Sequence, residues 1–452
     1  DQAYHVQVLW NTLQGRFGQG SVLQELYFDP PLANHGGLHV SVAFATLLPL
    51  FAVVPHVGTL LVVKVLAAGA GAALLLRLAS GVLDRASATA VLAAYLLHPT
   101  VLGQWTHDFY PEALAAPALM LVFLAWERRR IAWFAAALAA LLSVREDLGF
   151  TACAFTAVAV LERLAGGTSF RGWRWAVLPA ALGIAWYVVA ARVLMPWGGG
   201  QVVASNVTRW YGGYGDTPAE IVRRMLLDPV HTLTVAFASA KVLYLWQMLR
   251  PFAALPLLGR AAVVALPAAA INILVSEAGP TLDPNGHYSF VVAGALAVAA
   301  VAVVGHVSAR SGPAQAFALC VVLLGSALTA VPDALNATSV GRLRRPAHAA
   351  AIEAALALVP PHATVAAPSD YLSLVACAPV AYAVDRFGHY PPDLGRPEAV
   401  VLDLDPVRAR VLPERRDRYA ARVAWLLADP GYERALDRDG IVLLLRRDGG
   451  GA

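Results

Sequence analysis

Read for its hydrophobic pattern, the chain is a succession of long apolar runs broken by short polar patches. The run from Val57 to Ala79 reaches the ~20 residues that a helix needs to cross a bilayer, and Arg77 marks its end. Further runs occupy residues 86–106, 111–126, 131–144, 148–164, 174–194, 232–248, 252–275, 288–306 and 314–331. Several are shorter than an untilted crossing, but together they predict a bundle of about ten spanning helices. Leu38–Val54 is apolar yet too short to be a complete span, so it is expected to lie along the membrane surface or re-enter. Gln2–Gln14 has the period of an amphipathic helix with Tyr4, Val8 and Leu9 toward lipid.

After Val331 the pattern changes to soluble proportions of Pro, Asp and Arg. Strands are expected at His362–Ala367, Val380–Val384, Ala399–Leu404 and Gly440–Leu445. Helices are expected from Ser369 and over Arg415–Leu427. This describes a small α/β domain. It contains neither G-x-G-x-x-G nor a phosphate-binding P-loop, so nucleotide binding is not expected.

Charge orients the spans. With Arg77 and Arg85 in the cytoplasm, alternation also places Arg128–Arg130, Arg163, Arg171, Arg174, Arg250 and Arg310 there, as the positive-inside bias requires. The assignment holds only if Leu38–Val54 does not cross. The chain then divides into a first outer loop with membrane-surface helices (1–56), a plasma-membrane bundle (57–331) and a soluble extracytoplasmic α/β domain (332–452). Trp197, Trp210, Tyr211 and Tyr214 in the long 196–229 loop fit an aromatic belt at the interface.

Composition agrees. Of 452 residues, 58% are hydrophobic and 14% charged, against about 25% charged in soluble domains, which excludes a soluble enzyme with a greasy core. The net charge is only +4. The basic residues therefore serve topology, and no nucleic-acid partner is expected. Cys153, Cys320 and Cys377 are scattered, so neither a disulfide nor a metal cluster is expected. Because the chain opens on Asp1 rather than Met, it is expected to be a fragment or trimmed product with a helix upstream.

Ionisable groups at a membrane boundary are costly and so are candidates for function. Asp1, His35 and His39 lie in the first outer loop. His107, Asp108 and Glu112 form T-H-D-F-Y-P-E, and Arg145, Glu146 and Asp147 form V-R-E-D-L-G. His287 and Tyr288 close a loop containing Asp283, and Lys64 sits in the middle of a span, expected to face the bundle interior. Each has a plainer reading. Asp1 could be an ordinary chain-start carboxylate. His107–Glu112 could cap the next helix with Pro111 in its first turn. Arg145–Asp147 could be a structural ion pair, and His287 and Tyr288 interfacial anchors. Lys64 could hold a phosphate or make a structural hydrogen bond. Their convergence on one face would be the stronger signal: a charged pocket open to a lipid headgroup.

The stretches V-L-W-N-T-L-Q-G-R (8–16), H-D-F-Y-P-E (107–112), W-E-R-R-R (126–130), V-R-E-D-L-G-F (144–150), Y-G-G-Y-G-D-T-P-A-E-I (211–221), I-N-I-L-V-S (271–276) and His287–Tyr288 resemble the bacterial membrane-protein family of domain of unknown function 2079. The resemblance covers nearly the whole chain. It departs from the family's usual His at Tyr110, Lys at Arg145 and Gln at Lys64. That family looks like a branch of the GT-C glycosyltransferases, which take a sugar from a polyprenyl-phosphate donor outside the cytoplasm. The resemblance implies an acidic catalytic residue near the start of the first outer loop, a position that Asp1 occupies by its spacing to Trp10.

Two functions remain open. In the first, the protein is a glycosyltransferase with a polyprenyl-phosphate sugar donor and an acceptor of unknown class. Asp1 would be the general base, and Arg145 or Lys64 would hold the lipid phosphate. His107, Asp108, Glu112, Glu146, Asp147, His287 and Tyr288 would line the pocket by positioning substrate or a divalent ion. In the second, it is a non-catalytic transporter or lipid-binding scaffold. Transporters often carry inverted repeats and charges at mid-depth. No repeat is evident here, and the charges sit at one face, which favours the enzyme.

Overall fold

A computed structural model of the chain describes residues 2–22, 33–104, 107–164, 172–198, 202–277, 279–310, 312–338, 348–385 and 396–447. The protein is a polytopic helical membrane protein with a small α/β domain near its C-terminus. The chain divides into two compact units. One combines Asp1–Leu38, Ala45–Leu61 and Leu343–Ala452; the other combines His39–Phe44 and Val62–Arg342.

The larger unit is the bundle. Among the described residues, Val57–Ala79, Trp173–Trp197 and His287–Arg310 are unbroken helices long and apolar enough to cross a bilayer, and Pro229–Ala236 with Ser239–Phe252 makes a fourth candidate bent by 61°. Four of the other expected spans are carried by shorter helices, Arg85–Leu96, Ala115–Glu127, Ile131–Leu142 and Leu148–Leu164, and the last, 314–331, lies within the helix Pro313–Thr338. Expected span 252–275 is not one helix. Pro251, Pro256 and Pro267 interrupt the hydrogen-bond ladder, and the segment runs as 3-10 turns at Arg250–Phe252, Leu255–Leu258 and Arg260–Ala265 before the helix Leu266–Ile273.

Four consecutive helices pack through aromatic rings. Trp126 lies 5.3 Å from Phe134, 5.5 Å from Phe155 and 5.3 Å from Trp175, all buried. The first two of these helices are joined by W-E-R-R-R. Arg129 takes a left-handed φ of 53°, and the amides of Arg129 and Arg130 return to the carbonyls of Trp126 and Ala125, closing the helix as a Schellman motif. Leu148–Leu164 and Trp173–Val189 meet backbone to backbone. A Cβ on Gly149 would stand 2.5 Å from the Gly183 oxygen, and one on Gly183 would stand 2.3 Å from the Gly149 oxygen. Phe290–Arg310 is buried on every side along Phe290–Val301, which marks it as the middle of the bundle.

Leu38–Val54 holds two short helices, Val42–Ala45 and Leu48–Val53. At 1.5 Å per residue neither could reach across a hydrocarbon core of about 30 Å.

In the smaller unit a five-stranded sheet has the order β4-β3-β5-β7-β6. A two-stranded ribbon precedes it, β1 (Gln19–Gly20) with β2 (Ala33–Asn34). β3 (Val365–Ala367) is parallel to β4 (Ala381–Ala383) and to β5 (Ala399–Asp403), while β6 (Tyr432–Arg438) and β7 (Ile441–Arg446) add an antiparallel hairpin. The expected strands and the helices Ser369–Val375 and Arg416–Ala428 are present. β6 and the helix Ala349–Ala357 were not foreseen. Asp403, fully buried at the end of β5, is held by Arg408 Nη2 at 2.6 Å and by the Tyr371 hydroxyl at 2.7 Å.

The helix Gln2–Leu13 does not turn Tyr4, Val8 and Leu9 to lipid. All three are buried inside this unit, at 1%, 3% and 1% exposure, because the helix is covered by protein on its polar side as well. Gln7 donates to Ser21 and toward the carbonyls of Ala378 and Pro379, and Asn11 donates to the Pro379 carbonyl. Tyr214 also departs from the expected belt: it is buried and meets His231 edge-on at 5.2 Å, whereas Trp197 is exposed.

Candidate functional site

The site grows from the turn between two helices. Ile131–Leu142 ends, and the backbone amides of Leu148, Gly149 and Phe150 bond to the carbonyls of Arg145, Glu146 and Asp147. These three ionic residues therefore flank the start of Leu148–Leu164, where the helix dipole favours the two carboxylates. Trp186 Nε1 donates to the Arg145 carbonyl at 3.3 Å and ties the turn to the neighbouring helix.

Arg145 reaches two carboxylates. Nε donates to Asp147 Oδ1 at 2.6 Å and Nη2 to Asp147 Oδ2, a bidentate pair, while Nη1 donates to Glu112 Oε1 at 2.7 Å. Its guanidinium also lies 5.4 Å from the centre of the Tyr288 ring. Pro111 does open the next helical segment, as a 3-10 turn, but Glu112 turns its carboxylate to Arg145 and makes no side-chain cap. Burial works against the Arg145 charge, but Asp147 and then Glu112 and Glu146 hold it ionised, well above the ordinary value. With one cation and two carboxylates the triad carries a net charge of −1.

Glu146 points elsewhere. Its Oε1 lies 2.9 Å from His39 Nδ1 and its Oε2 accepts from the Val40 amide at 3.0 Å. Burial opposes ionisation of Glu146, but the charge and hydrogen bond of His39, then Arg145, hold its pKa below the usual carboxylate value. Burial also opposes protonation of His39, and Glu146 more than compensates, so the imidazole pKa is raised.

A second group forms around Lys64. It is 4% exposed and donates to the His107 carbonyl at 2.5 Å. Asp108 lies within electrostatic range of it. Among the described residues no carboxylate makes a salt bridge with Lys64. His107 Nε2 lies 3.5 Å from Asp283 Oδ2. Tyr110 links the two groups in sequence and stacks on His287, centroids 3.7 Å apart and planes at 12°; His287 in turn lies 4.1 Å from the Tyr288 ring.

Glu112, Arg145, Asp147, Asn272, His287 and Tyr288 line one cavity of about 20 Å³, room for one water molecule. The structure thus brings together Glu112, Arg145, Asp147, His287 and Tyr288. Glu146 stands beside them but faces His39, and Lys64, His107 and Asp108 form the adjacent group. Asp1 lies outside the described residues. Among those described, no group of three or more His, Cys, Asp or Glu is placed to hold a metal ion.

Two buried residues were not singled out from the sequence. Asn272 is 1% exposed and lies in the I-N-I-L-V-S stretch. Lys241 is 3% exposed and donates to the Val275 carbonyl. The signal for both was a lone polar residue in an apolar run, the same signal that marked Lys64.

A family model described as predicted membrane protein, domain of unknown function 2079, matches residues 1–443. No curated protein matches the chain. Among solved structures, the chain is similar to ArnT from Cupriavidus metallidurans bound to undecaprenyl phosphate, with a TM-score of 0.53 and 12% identity, covering 98% of this chain and 93% of that one. The apo state of the same ArnT gives 0.49 and 13%. The likeness to the undecaprenyl-phosphate-bound structure gives the chain an ArnT-like fold over nearly its whole length.

Proposed function

This chain belongs to the family of predicted membrane proteins of domain of unknown function 2079, and from that premise we propose that it is a GT-C glycosyltransferase with a polyprenyl-phosphate-linked sugar as donor. The observation that carries the reading is Lys64. A buried ammonium whose described hydrogen bond goes to a carbonyl, the His107 oxygen, with Asp108 in electrostatic range but no described carboxylate in a salt bridge with it, is suited to pair with a bound anion. We assign that role to a lipid phosphate, and the similar ArnT is described as bound to undecaprenyl phosphate. Arg145 is less suited to that task, because Asp147 and Glu112 already occupy all three of its nitrogens. It serves to hold two carboxylates in place.

In this reading Asp1 removes the proton from an acceptor hydroxyl. The hydroxyl oxygen attacks the anomeric carbon, and the bond from that carbon to the phosphate oxygen breaks. Polyprenyl phosphate leaves with the electron pair, and Lys64 stabilises its charge. The reaction takes place on the extracytoplasmic side, where we also place the α/β domain. Two observations support that placement. The basic loops follow the positive-inside bias. The helix Gln2–Leu13 packs in the same unit as the tail, so both ends share one side of the membrane and the number of crossings between them is even.

The test uses the full chain in lipid nanodiscs. Wild type should bind undecaprenyl phosphate and release it from lipid-linked sugar. Asp1→Asn should lower turnover by about 100-fold or more while binding the lipid phosphate as before, and Lys64→Gln should weaken that binding. Unimpaired turnover by Asp1→Asn would remove Asp1 from the mechanism. A scaffold would bind the lipid with no turnover in any variant.

A further inference from the structure

The amide of Asn272 is oriented by a hydrogen-bond relay whose direction is fixed at its far end. The Asp283 carbonyl can only accept, so Ser289 Oγ donates to it at 3.1 Å. Tyr244 must then donate to Ser289, 3.1 Å away, and Asn272 Nδ2 donates to the Tyr244 oxygen at 2.8 Å. The second Nδ2 hydrogen goes to the Tyr288 carbonyl at 3.1 Å, another group that can only accept. Both donors of the amide are committed, and the assignment of its oxygen and nitrogen follows from chemistry. Asn272 Oδ1 is the remaining atom. It meets no protein donor among the described residues, although the residue is 1% exposed and lines the cavity with Glu112, Arg145, Asp147, His287 and Tyr288.

The cavity is therefore rich in acceptors. Asn272, with its uncommitted Oδ1, lines a space of about 20 Å³ together with the carboxylate residues Glu112 and Asp147, enough for one oxygen with its hydrogens. The triad's net charge of −1 and the bare amide oxygen both repel a phosphate. They suit a hydroxyl, which can donate to an acceptor and stand where a water would. We propose that this cavity is a subsite for one sugar hydroxyl and that Asn272 is its specificity-determining residue. The inference rests on the glycosyltransferase reading and deepens it. The lipid phosphate binds at Lys64, and the neighbouring cavity senses the sugar. A site built around a fixed acceptor rejects a ring that lacks the matching hydroxyl, because the acceptor would then be left buried and unpaired. The hydroxyl could belong to the donor sugar or to a sugar acceptor.

The experiment measures affinity for the full chain in nanodiscs. The probes are undecaprenyl phosphate, its glucosyl, mannosyl, galactosyl and arabinosyl derivatives, and the methyl glycosides of the same sugars. For the best-bound lipid-linked sugar, Asn272→Leu should weaken binding roughly ten-fold and Tyr244→Phe less. Both should bind bare undecaprenyl phosphate as wild type does, which also shows that they are folded. A loss confined to the methyl glycosides assigns the subsite to the acceptor sugar. Equal affinities of wild type and Asn272→Leu for every sugar overturn the subsite and leave the donor reading standing. So does a wild type that binds no lipid-linked sugar more tightly than the bare phosphate and no glycoside at all. Failure of wild type to bind undecaprenyl phosphate refutes the donor reading, and the glycoside arm then decides the subsite alone. Should Asn272→Leu not fold, Tyr244→Phe decides, since it keeps Asn272 and removes the oxygen that orients it.

Discussion

Replacing Arg145 by Met should strand two carboxylates in a place where water cannot reach them well. The Arg145, Glu112 and Asp147 side chains are exposed by only 11%, 11% and 18%. Removing one partner of a buried pair costs about 3–5 kcal/mol. Stranded carboxylates can escape by taking up protons, at about 1.4 kcal/mol for each pH unit above their ordinary pKa. At pH 7 protonating one of the two carboxylates costs roughly 4 kcal/mol and leaves a single charge behind, so a total loss of about 4 kcal/mol is expected. The sign of the pH dependence follows. The group that takes up the proton binds it more readily than in the unfolded chain, so the deficit shrinks as pH falls, by up to about 3 kcal/mol between pH 7 and pH 5. Equilibrium denaturation of the solubilised full chain, followed by tryptophan fluorescence at both pH values, gives the two numbers. The triple variant Arg145→Met, Glu112→Gln, Asp147→Asn should recover most of the loss, because it leaves no unpaired charge. A single variant within about 1 kcal/mol of wild type, or a deficit that does not change with pH, would show that the triad is not the buried ion cluster described above.

Two further outcomes are expected. The pKa of His39 is raised above 6.5 and that of Glu146 lowered below 4.5. The histidine's contribution is complete below about pH 6.5 and lost as pH rises through its raised value, and the glutamate's is complete above about pH 4.5 and lost as pH falls through its lowered one. His39→Gln should therefore flatten the alkaline limb of the stability profile in a pH series of thermal melts, and parallel profiles would count against the pair. Gly183→Ala should destabilise by about 1–3 kcal/mol, since the new Cβ would stand 2.3 Å from the Gly149 oxygen. Gly69→Ala, with nothing within 4 Å, should be neutral or stabilising in the same denaturation assay.

The spans were legible because a long apolar run admits few alternatives. The 252–275 run was misread as one helix because its apolar character outweighed Pro256 and Pro267 within it and Pro251 at its start. β6 escaped because Tyr432–Arg438 is largely polar and exposed, an edge strand without an apolar alternation. Its one local signal was Asp439-Gly440, both at positive φ (52° and 76°), the signature of a tight hairpin turn. Gln2–Leu13 shows the limit of a surface reading. Its Tyr4, Val8 and Leu9 face was visible, but Gln7 and Asn11 find their acceptors near residue 379, which no local pattern reveals. The ionic site was half legible. V-R-E-D announced charge at a helix start, but whether Arg145 served a substrate or two carboxylates depended on Glu112, 33 positions away. Asn272 stayed hidden because, although it lies in I-N-I-L-V-S, nothing local shows that Tyr244 and the Tyr288 carbonyl take its amide hydrogens.

The pairing of Gln7 with the Ala378 carbonyl joins residues 371 positions apart, and that separation is also a delay in biosynthesis. At about 5–20 residues per second, the ribosome needs roughly 20–70 s after finishing Gln2–Leu13 to make the segment just before β4 that supplies that carbonyl. During that interval the helix has its buried glutamine and asparagine without their final acceptors, while the bundle is being inserted. The smaller unit can therefore close only after the last helix is in the membrane. A chain that stops before β4 should leave its first helix exposed to proteases however well the bundle has formed.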